Sequence, residues 1–349
     1  AIAAGAMTGV SSATKSASDP TVSTNPSTGL GTKWINTTSG EIFILTDATA
    51  GENVWTSTGG TSGDVQPAPG MRGSRGFSMG GHSKSSMDYF SIATIGNATS
   101  FGNQGAVYNG ADGCCTNVTR GIYAASTAVN NIEYLTCATT GNATDFGDRT
   151  IAKGGSRGFG NGTRGIQAGA NNAIDVTIDY VTISTTGNST DFGDLTVGRG
   201  DGGGGENDTR AVNMGGDAGA STYTSNVIDY FTMATPGNAT DFGDRTVTLG
   251  NSGGTGGGGR AMCFGGGTSN TMDYVTIATT GNATDFGNLT VGARGLDGCS
   301  NDTRGVRVGG YNNTTTMDYW TMLTAADAVD FGDLTTGRQY NGSFSGVPL

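Results

Sequence analysis

The chain has 349 residues, of which 34% are hydrophobic, 64 are glycine and only 6 are proline. This composition argues against one large conventional core. The glycines lack the every-third-residue spacing of collagen, so they indicate many tight turns between short strands. The formal net charge of −11 disfavours nucleic acid as a partner, because phosphate groups carry the same sign. No run of 18 apolar residues is present, so no membrane insertion is predicted.

The N-terminal part of the chain predicts an arm and a small β-module. Residues 1–31 consist mainly of small and polar residues with little to bury, and they are predicted to be an extended arm. Strand candidates at 32–36, 41–45 and 53–56 predict a β-meander within residues 32–58. A sheet this small normally needs a second body to pack on, so the module is expected to serve for attachment. Residues 59–70 are predicted to be a linker.

Residues 71–349 contain six copies of one unit. In each copy an acidic residue precedes a tyrosine, and a phenylalanine followed by glycine lies 13 residues after the acidic position. Successive acidic positions are 45, 46, 50, 44 and 45 residues apart, and an arginine opens each copy. The arginines are Arg75, Arg120, Arg164, Arg210, Arg260 and Arg304; the tyrosines are Tyr89, Tyr134, Tyr180, Tyr230, Tyr274 and Tyr319; the phenylalanines are Phe101, Phe146, Phe192, Phe242, Phe286 and Phe331.

Each copy has the content of four short strands. β-Branched and aromatic residues alternate with Gly-Asn turns, and no apolar stripe has the spacing of a helix. Four strands in about 45 residues are typical of one propeller blade. The chain is therefore predicted to be all-β, with a six-bladed β-propeller of four-stranded blades over residues 71–349. A C-terminal strand within 337–344 is predicted to complete the blade that begins near Arg75.

Repetition predicts structural roles for the arginine, tyrosine and phenylalanine. The aromatic residues are expected to pack between sheets. Each arginine is expected to donate hydrogen bonds to carbonyls or to the acidic residue of its own or a neighbouring blade, with ligand binding as the alternative.

One loop of the unit varies in length, since the arginine lies 13 to 19 residues before the acidic position. The longest insert spans 215–226. Insertions of this kind project from one face and are free to change with function. The candidate receptor-binding residues on these loops are Tyr223, Tyr311 and Asn312, which could stack on or hydrogen-bond a sugar.

The residues needed for catalysis and for tight metal binding are scarce. His82 is the only histidine, and the five cysteines form no CxxC pair, so no enzyme activity, disulfide framework or cofactor is predicted. Calcium is an alternative, since carboxylates recur around the Phe-Gly motif, as at Asp145 and Asp148. Turn capping is the preferred interpretation of these carboxylates, and turn chemistry rather than glycan attachment is preferred for the many Asn-x-Ser/Thr sequences.

Two segments carry a resemblance to known proteins. The unit typified by Met-Asp-Tyr-Val-Thr-Ile-Ala-Thr-Thr-Gly-Asn-Ala-Thr-Asp-Phe-Gly at 272–287, with Thr-Arg-Gly-Val at 303–306, resembles the kelch-like repeats of tailed-phage structural proteins, notably those of cyanophages. The run Gly-Thr-Lys-Trp-Ile-Asn-Thr-Thr-Ser-Gly-Glu-Ile-Phe at 31–43 resembles a small β-module near the start of phage fibre and appendage proteins.

The resemblance implies a virion fibre, spike or appendage protein, made in the host cytoplasm and oligomeric in the particle. Its N-terminal module would contact other virion proteins, and its propeller would bind a host-surface glycan or protein. A purely architectural head or tail decoration protein and a glycan-cleaving propeller enzyme are the alternatives.

Overall fold

The computed structural model describes residues 13–21, 24, 26–48, 54–59, 72–108, 110–125, 129–170, 175–219 and 224–346. The chain divides into two compact units, Ala1–Gly70 and Met71–Leu349. The described residues form strands and turns and contain no helix, which agrees with the predicted all-β class. Accordingly, these ranges hold no helix long and apolar enough to cross a membrane.

The N-terminal unit contains one four-stranded sheet in the order β1-β2-β3-β4. Its strands are β1 (Thr14–Ser16), β2 (Lys33–Asn36), β3 (Ile42–Asp47) and β4 (Val54–Ser57). Strand β1 pairs parallel with β2, and the other pairs are antiparallel. Phe43, Leu45 and Trp55 are buried together, and Trp34 packs edge-on against Trp55 with ring centroids 5.8 Å apart. The small core therefore lies on one face of the sheet.

Strand β1 lies inside the segment that the sequence analysis assigned to an extended arm, and that expectation is corrected here. Polar hydrogen bonds hold this segment. The indole Nε1 of Trp34 donates to the carbonyl of Ser18 at 2.9 Å, and Asn36 Nδ2 donates to Asp19 Oδ1 at 2.7 Å. A low apolar content does not reveal order that depends on polar and main-chain bonds.

Six four-stranded sheets make up the described part of Met71–Leu349. Sheet 1 contains β5 (Arg75–Met79), β6 (Lys84–Ser91), β7 (Thr99–Tyr108) and β28 (Gly342–Gly346). Sheet 2 contains β8 (Ala111–Thr116), β9 (Arg120–Ala125), β10 (Asn131–Thr136) and β11 (Thr144–Asp148). Sheet 3 contains β12 (Arg157–Gly160), β13 (Arg164–Ala170), β14 (Asp175–Thr182) and β15 (Thr190–Asp194).

In each of the remaining three sheets, four strands that are consecutive in the chain pair in chain order. Sheet 4 contains β16 (Gly203–Glu206), β17 (Arg210–Asp217), β18 (Thr224–Thr232) and β19 (Thr240–Asp244). Sheet 5 contains β20 (Gly253–Gly257), β21 (Arg260–Phe264), β22 (Thr271–Thr276) and β23 (Thr284–Asn288). Sheet 6 contains β24 (Asp297–Ser300), β25 (Arg304–Val308), β26 (Thr316–Thr321) and β27 (Val329–Asp333).

The C-terminal strand belongs to the first sheet of this unit, as predicted. Sheet 1 has the order β28-β5-β6-β7, and β28 pairs antiparallel with β5 from Gly342 opposite Met79 to Gly346 opposite Arg75. The rings of Phe344 and Phe77 stack with centroids 4.9 Å apart. The two ends of this unit are thus joined within one sheet.

One edge strand of each sheet contacts the equivalent edge strand of the next sheet, and we call these edge strands the inner strands. These inner strands are β8, β12, β16, β20, β24 and β28, and β28 in turn contacts β8. Their main chains approach so closely that a Cβ at Gly205 or Gly254 would overlap a neighbouring inner strand. This crowding gives a physical reason for the glycine-rich sequences of the inner strands.

Six apolar clusters lie between successive sheets instead of one central core. In one of them Phe159 and Phe192 of sheet 3 pack with Phe231 and Met233 of sheet 4. Another joins sheet 6 to sheet 1, where Phe331 meets Phe90 with ring centroids 5.6 Å apart. This is the distributed burial that a low apolar fraction favours.

Candidate functional site

The six repeat arginines form the same two contacts in every sheet. Each guanidinium carbon lies 4.2 to 4.7 Å from the ring centroid of the tyrosine in its own copy. Each Nη1 also donates to a main-chain carbonyl of the next sheet at 2.8 to 3.0 Å. The donor and acceptor residues are Arg75 and Cys137, Arg120 and Ile183, Arg164 and Met233, Arg210 and Ile277, Arg260 and Met322, and Arg304 and Ile92. The arginines therefore connect successive sheets through carbonyls.

The tyrosine and phenylalanine of each copy form an edge-to-face pair. Their ring centroids are 5.8 to 6.1 Å apart. The phenylalanines are buried in the clusters between sheets, as Phe146 is among Val181 and Ile183. The tyrosines are half-buried at the edges of these clusters, between the arginine and the phenylalanine. The arginine, the tyrosine and the phenylalanine of each copy therefore contact other parts of the fold and have a structural role.

The acidic residue before each tyrosine is buried, a role that the sequence analysis did not assign. In five sheets it accepts from a threonine hydroxyl of the preceding sheet and pairs with a buried cation. The ion pairs are Asp88 with Arg338, Asp179 with Lys153, Asp229 with Arg199, Asp273 with Arg245 and Asp318 with Arg307. The threonines are Thr335, Thr150, Thr196, Thr246 and Thr290, each four residues after a repeat phenylalanine, and this fixed spacing was the available signal.

Sheet 2 departs from this pattern. Glu133 replaces the aspartate, and it accepts from Gly105 N and from the hydroxyls of Tyr108 and Tyr123. Burial, together with Glu133, raises the pKa of both phenols. A longer carboxylate and two tyrosines thus take the place of the threonine and the cation.

The Gly-Asn turns of the repeat contact the Phe-Gly strand of the preceding sheet. In all six copies a turn side-chain Oδ1 accepts from a main-chain N–H of that strand. The acceptors are Asn97, Asn142, Asn188, Asn238, Asn282 and Asp327. These asparagine side chains therefore link successive sheets. The described residues contain no group of three or more His, Cys, Asp or Glu placed to hold a metal ion.

The variable loops project from one end of the sheets, here called the insert face. Inner strands start at this end, because Arg157 at the start of β12 pairs with Ala168 near the end of β13. Part of the longest insert is strand rather than loop, since Asp217 pairs with Thr224. The Gly-Asn turns lie at the opposite end, here called the turn face.

At the insert face, six main-chain hydrogen bonds link residues within or just before the beginnings of the inner strands, with Ala111 and Gly113 inside β8 and the others just before their strands. They run from Gly113 N to Ser156 O, Asp201 N to Gly155 O, Ser252 N to Asp201 O, Gly295 N to Asn251 O, Tyr340 N to Gly295 O and Ala111 N to Tyr340 O. The residues of this cycle line a cavity of about 60 Å³. We call the cavity and its rim the mouth.

Three residues with side chains on the rim of the mouth have a left-handed backbone conformation. Asp201, Asn251 and Tyr340 have φ of 50°, 56° and 55°, while Gly155 and Gly295 hold the equivalent positions of other sheets. A left-handed conformation is uncommon for a bulky residue and costs about 1–3 kcal/mol. A side chain is therefore present at Tyr340 where glycine would fit the backbone better.

Further polar and aromatic groups adjoin these residues. The guanidinium of Arg294 lies 4.1 Å from the ring centroid of Tyr311, which is 42% exposed. Asn251 Nδ2 donates to Asp217 Oδ2 at 2.6 Å. Burial raises the pKa of Tyr340 and that of Asp217, and the nearby Arg294 acts against both increases. The rim thus combines two phenols, a guanidinium, an amide and carboxylates.

The inner end of the mouth is closed by charges. Arg157 of sheet 3 pairs with Asp297 of sheet 6 at 2.5 Å and donates to Gly254 O of sheet 5 at 2.6 Å. A second cavity of about 40 Å³ lies nearer the turn face, where Arg72 pairs with Glu206 at 2.9 Å. Burial raises the pKa of both carboxyls.

Two of the predicted binding residues lie in this region. Tyr311 belongs to the rim, and the exposed Asn312 follows it, with φ of 68° and a main-chain N–H that donates to Gln339 Oε1 at 3.0 Å. Tyr223 lies outside the described residues. Arg294 and Tyr340 were not among the binding residues predicted from the sequence. The copies differ in sequence just before the inner strand, and this difference was the available signal for both residues. The corresponding positions can be aligned only from the register of the sheets.

One cysteine borders the mouth. All five cysteines lie in described parts of the chain and none forms a disulfide. Cys114 borders the mouth, and burial raises the pKa of its thiol, so it is protonated at neutral pH. His82 is exposed in a turn.

A comparison with models of known protein families finds no match, and a comparison with curated proteins finds none either.

Proposed function

We propose that Met71–Leu349 is a closed six-bladed β-propeller that binds a cell-surface glycan at the mouth without altering it chemically. Three features support closure. The inner strand of sheet 1 contacts those of sheets 6 and 2. Arg304 of sheet 6 donates to a carbonyl of sheet 1. The main-chain cycle of the mouth likewise connects sheet 6 to sheet 1 and sheet 1 to sheet 2. Closure also leaves no terminal blade with an exposed face.

The observation that carries the binding proposal is Tyr340, a bulky side chain on left-handed backbone at the rim. Strain of this kind persists where function requires the side chain. A sugar ring packs its C–H face on phenols, and its hydroxyls pair with planar amide, carboxylate and guanidinium groups. Tyr311, Asn251, Asp217 and Arg294 supply these groups beside Tyr340.

The proposed setting is a phage virion, and it is supported by the resemblance of the repeats and of the N-terminal module to virion proteins. In this setting the protein is made in the host cytoplasm and acts outside the cell as part of the particle. The N-terminal unit contacts other virion proteins, and several copies display their mouths together. Display on one particle increases avidity beyond the affinity of a single mouth.

Replacement of Tyr340 by glycine tests this function. Tyr340→Gly removes the phenol but suits the backbone, so we expect unchanged or slightly higher stability with at least tenfold weaker binding to host cells and to purified envelope polysaccharide. Binding is measured by calorimetry and by cell adsorption, and stability by thermal unfolding. The matched control is His82→Ala, which alters an exposed loop residue of the insert face. Full binding by Tyr340→Gly would refute the mouth as the site, and new reducing ends after incubation would indicate cleavage instead.

A further inference from the structure

Two clefts occupy equivalent positions at the turn face, on sheets 2 and 3. Their volumes are about 150 Å³ and about 350 Å³. We call them the turn clefts. Their polar lining residues include five matching pairs, with Tyr134, Thr136, Thr139, Asn142 and Thr144 in sheet 2 equivalent to Tyr180, Thr182, Thr185, Asn188 and Thr190 in sheet 3. The clefts thus follow from the repeat itself and are separate from the mouth.

The lining of each turn cleft offers hydroxyl groups and contains no charged side chain. In sheet 2, Thr136, Thr139 and Thr144 are exposed, and Thr144 lies opposite Tyr134 in the strand pairing. Asn142 Oδ1 accepts from Asn103 N, which leaves the Nδ2 group of this exposed side chain as a donor. Hydroxyl and amide groups both donate and accept, as the hydroxyls of a sugar do.

The cation nearest each cleft is already engaged in the fold. Arg120 stacks on Tyr134 at 4.3 Å and donates to Ile183 O at 3.0 Å. Arg164 repeats these contacts with Tyr180 at 4.7 Å and Met233 O at 3.0 Å. The arginine therefore covers one face of the tyrosine ring and adds no unpaired charge. A neutral ligand suits such a lining better than an anion does.

From these observations we propose that each turn cleft binds one neutral pyranose unit of a polysaccharide. The sugar hydroxyls pair with the threonine hydroxyls and the asparagine amide, and the sugar ring lies beside the tyrosine. The smaller cleft, of about 150 Å³, has about half the lower limit of a pocket for a drug-sized ligand, and the larger, of about 350 Å³, lies just above that limit of about 300 Å³. Both volumes fit a single sugar unit.

The residue set recurs in three further copies, except that a serine replaces one threonine in copy 1. Copies 1, 4 and 5 carry Tyr89, Ser91, Thr94, Asn97 and Thr99; Tyr230, Thr232, Thr235, Asn238 and Thr240; and Tyr274, Thr276, Thr279, Asn282 and Thr284. Copy 6 departs, because Asp327 replaces the asparagine and Val329 replaces the last threonine. We therefore predict five weak sites per chain, and copy 6 is a natural control.

Several weak sites on one face favour a repetitive ligand. Linking binding events in one molecule can raise the overall affinity by about 10² to 10⁴ without any new contact. We therefore expect a neutral polysaccharide to bind much more tightly than its monosaccharide. A sugar polymer whose units carry charge is expected to bind less well at the turn face.

The test uses the full chain and a panel of monosaccharides. The panel contains glucose, galactose and N-acetylglucosamine as neutral sugars, N-acetylneuraminic acid as an anion and glucosamine as a cation. Saturation-transfer NMR and calorimetry measure contact and stoichiometry. The double variant Thr139→Val and Thr185→Val removes one hydroxyl from each cleft at nearly constant shape, and we expect the number of bound neutral sugars to fall by two.

Two controls keep this test separate from the function proposed for the mouth. Thr324→Val makes the same change in copy 6 and is expected to leave the number of bound sugars unchanged. Tyr340→Gly alters the mouth and is expected to leave binding at the turn clefts unchanged. An unaltered stoichiometry in the double threonine variant, a stronger signal from the charged sugars, or no binding of any neutral sugar would overturn the proposal.

Discussion

The buried acidic residue of the repeat is stabilised in two different ways, by a buried cation in five sheets and by hydrogen-bond donors in sheet 2. Asp229 is fully buried and pairs with Arg199 at 2.8 Å, while Glu133 at the equivalent position is surrounded by hydroxyl and main-chain donors. Removal of one member of a buried ion pair leaves an uncompensated charge, whereas loss of a hydrogen-bond acceptor has a smaller cost. The same chemical change should therefore have unequal effects in the two sheets.

We predict that Asp229→Asn lowers the free energy of unfolding by about 3–5 kcal/mol, because Arg199 is left buried without its carboxylate. Glu133→Gln should cost only about 1–2 kcal/mol, since no cation pairs with Glu133 among the described residues. Urea denaturation of the two variants and the parent measures both values. Equal losses in the two variants would show that the cation does not set the difference.

At the scale of the element, strand β28 occupies the inner position of sheet 1. It contributes Phe344, which is buried against Phe77, and the hydroxyl of Ser343 donates to Phe77 O at 2.7 Å. Ser343 N also donates to Asp297 Oδ2 of sheet 6 at 2.9 Å. A short strand at the C-terminus thus joins β5 to the neighbouring sheet.

Truncation after Tyr340 should consequently abolish cooperative unfolding of the sheets of Met71–Leu349 or lower the midpoint of thermal unfolding by more than 10 °C. The expected loss reflects an unpaired β5 and the exposure of Phe77, which together exceed about 3 kcal/mol. Truncation after Gly346 keeps β28 and is the matched control. Circular dichroism during heating distinguishes them, and identical melting curves would contradict the structural role of β28.

At the scale of the whole Met71–Leu349 unit, charged pairs connect sheets that are distant in the chain. Arg157 and Asp297 join sheets 3 and 6, and Arg72 links the start of the unit to Glu206 of sheet 4. Because both carboxyls are buried, their pKa values are raised. The stability of the assembly of sheets should therefore depend on pH through these groups.

A raised pKa of Glu206 in the folded state means that folding takes up protons between the unfolded and folded pKa values. The free energy of unfolding contributed by Glu206 is then fully present below about pH 4 and falls as pH rises through the folded pKa. We predict that the stability of the parent relative to Glu206→Gln decreases from about pH 4 upwards. Denaturant unfolding of both proteins from pH 4 to pH 8 measures this difference. An increase with pH would mean that attraction to Arg72 outweighs burial.

Much of the strand content could be predicted because each copy carries its own local signals. The regular spacing of Asp273, Tyr274 and Phe286 and of their equivalents marks two strands and the turn between them. The tail strand could be placed because copy 1 lacks a preceding inner strand. The mouth could not be assembled in this way. Tyr340, Asn251 and Arg294 meet only when the starts of separate inner strands come together.

The sequence alone determined that the chain is a sixfold repeat of short strands with distributed cores, since turns, strand periodicity and burial are encoded within each copy. Tertiary structure decided which divergent side chains share the mouth, which charges pair between sheets 3 and 6, and that residues 14–16 pair with β2. Those contacts join residues far apart in the chain. Their existence depends on how the backbones are placed in space, which no local pattern of residues specifies.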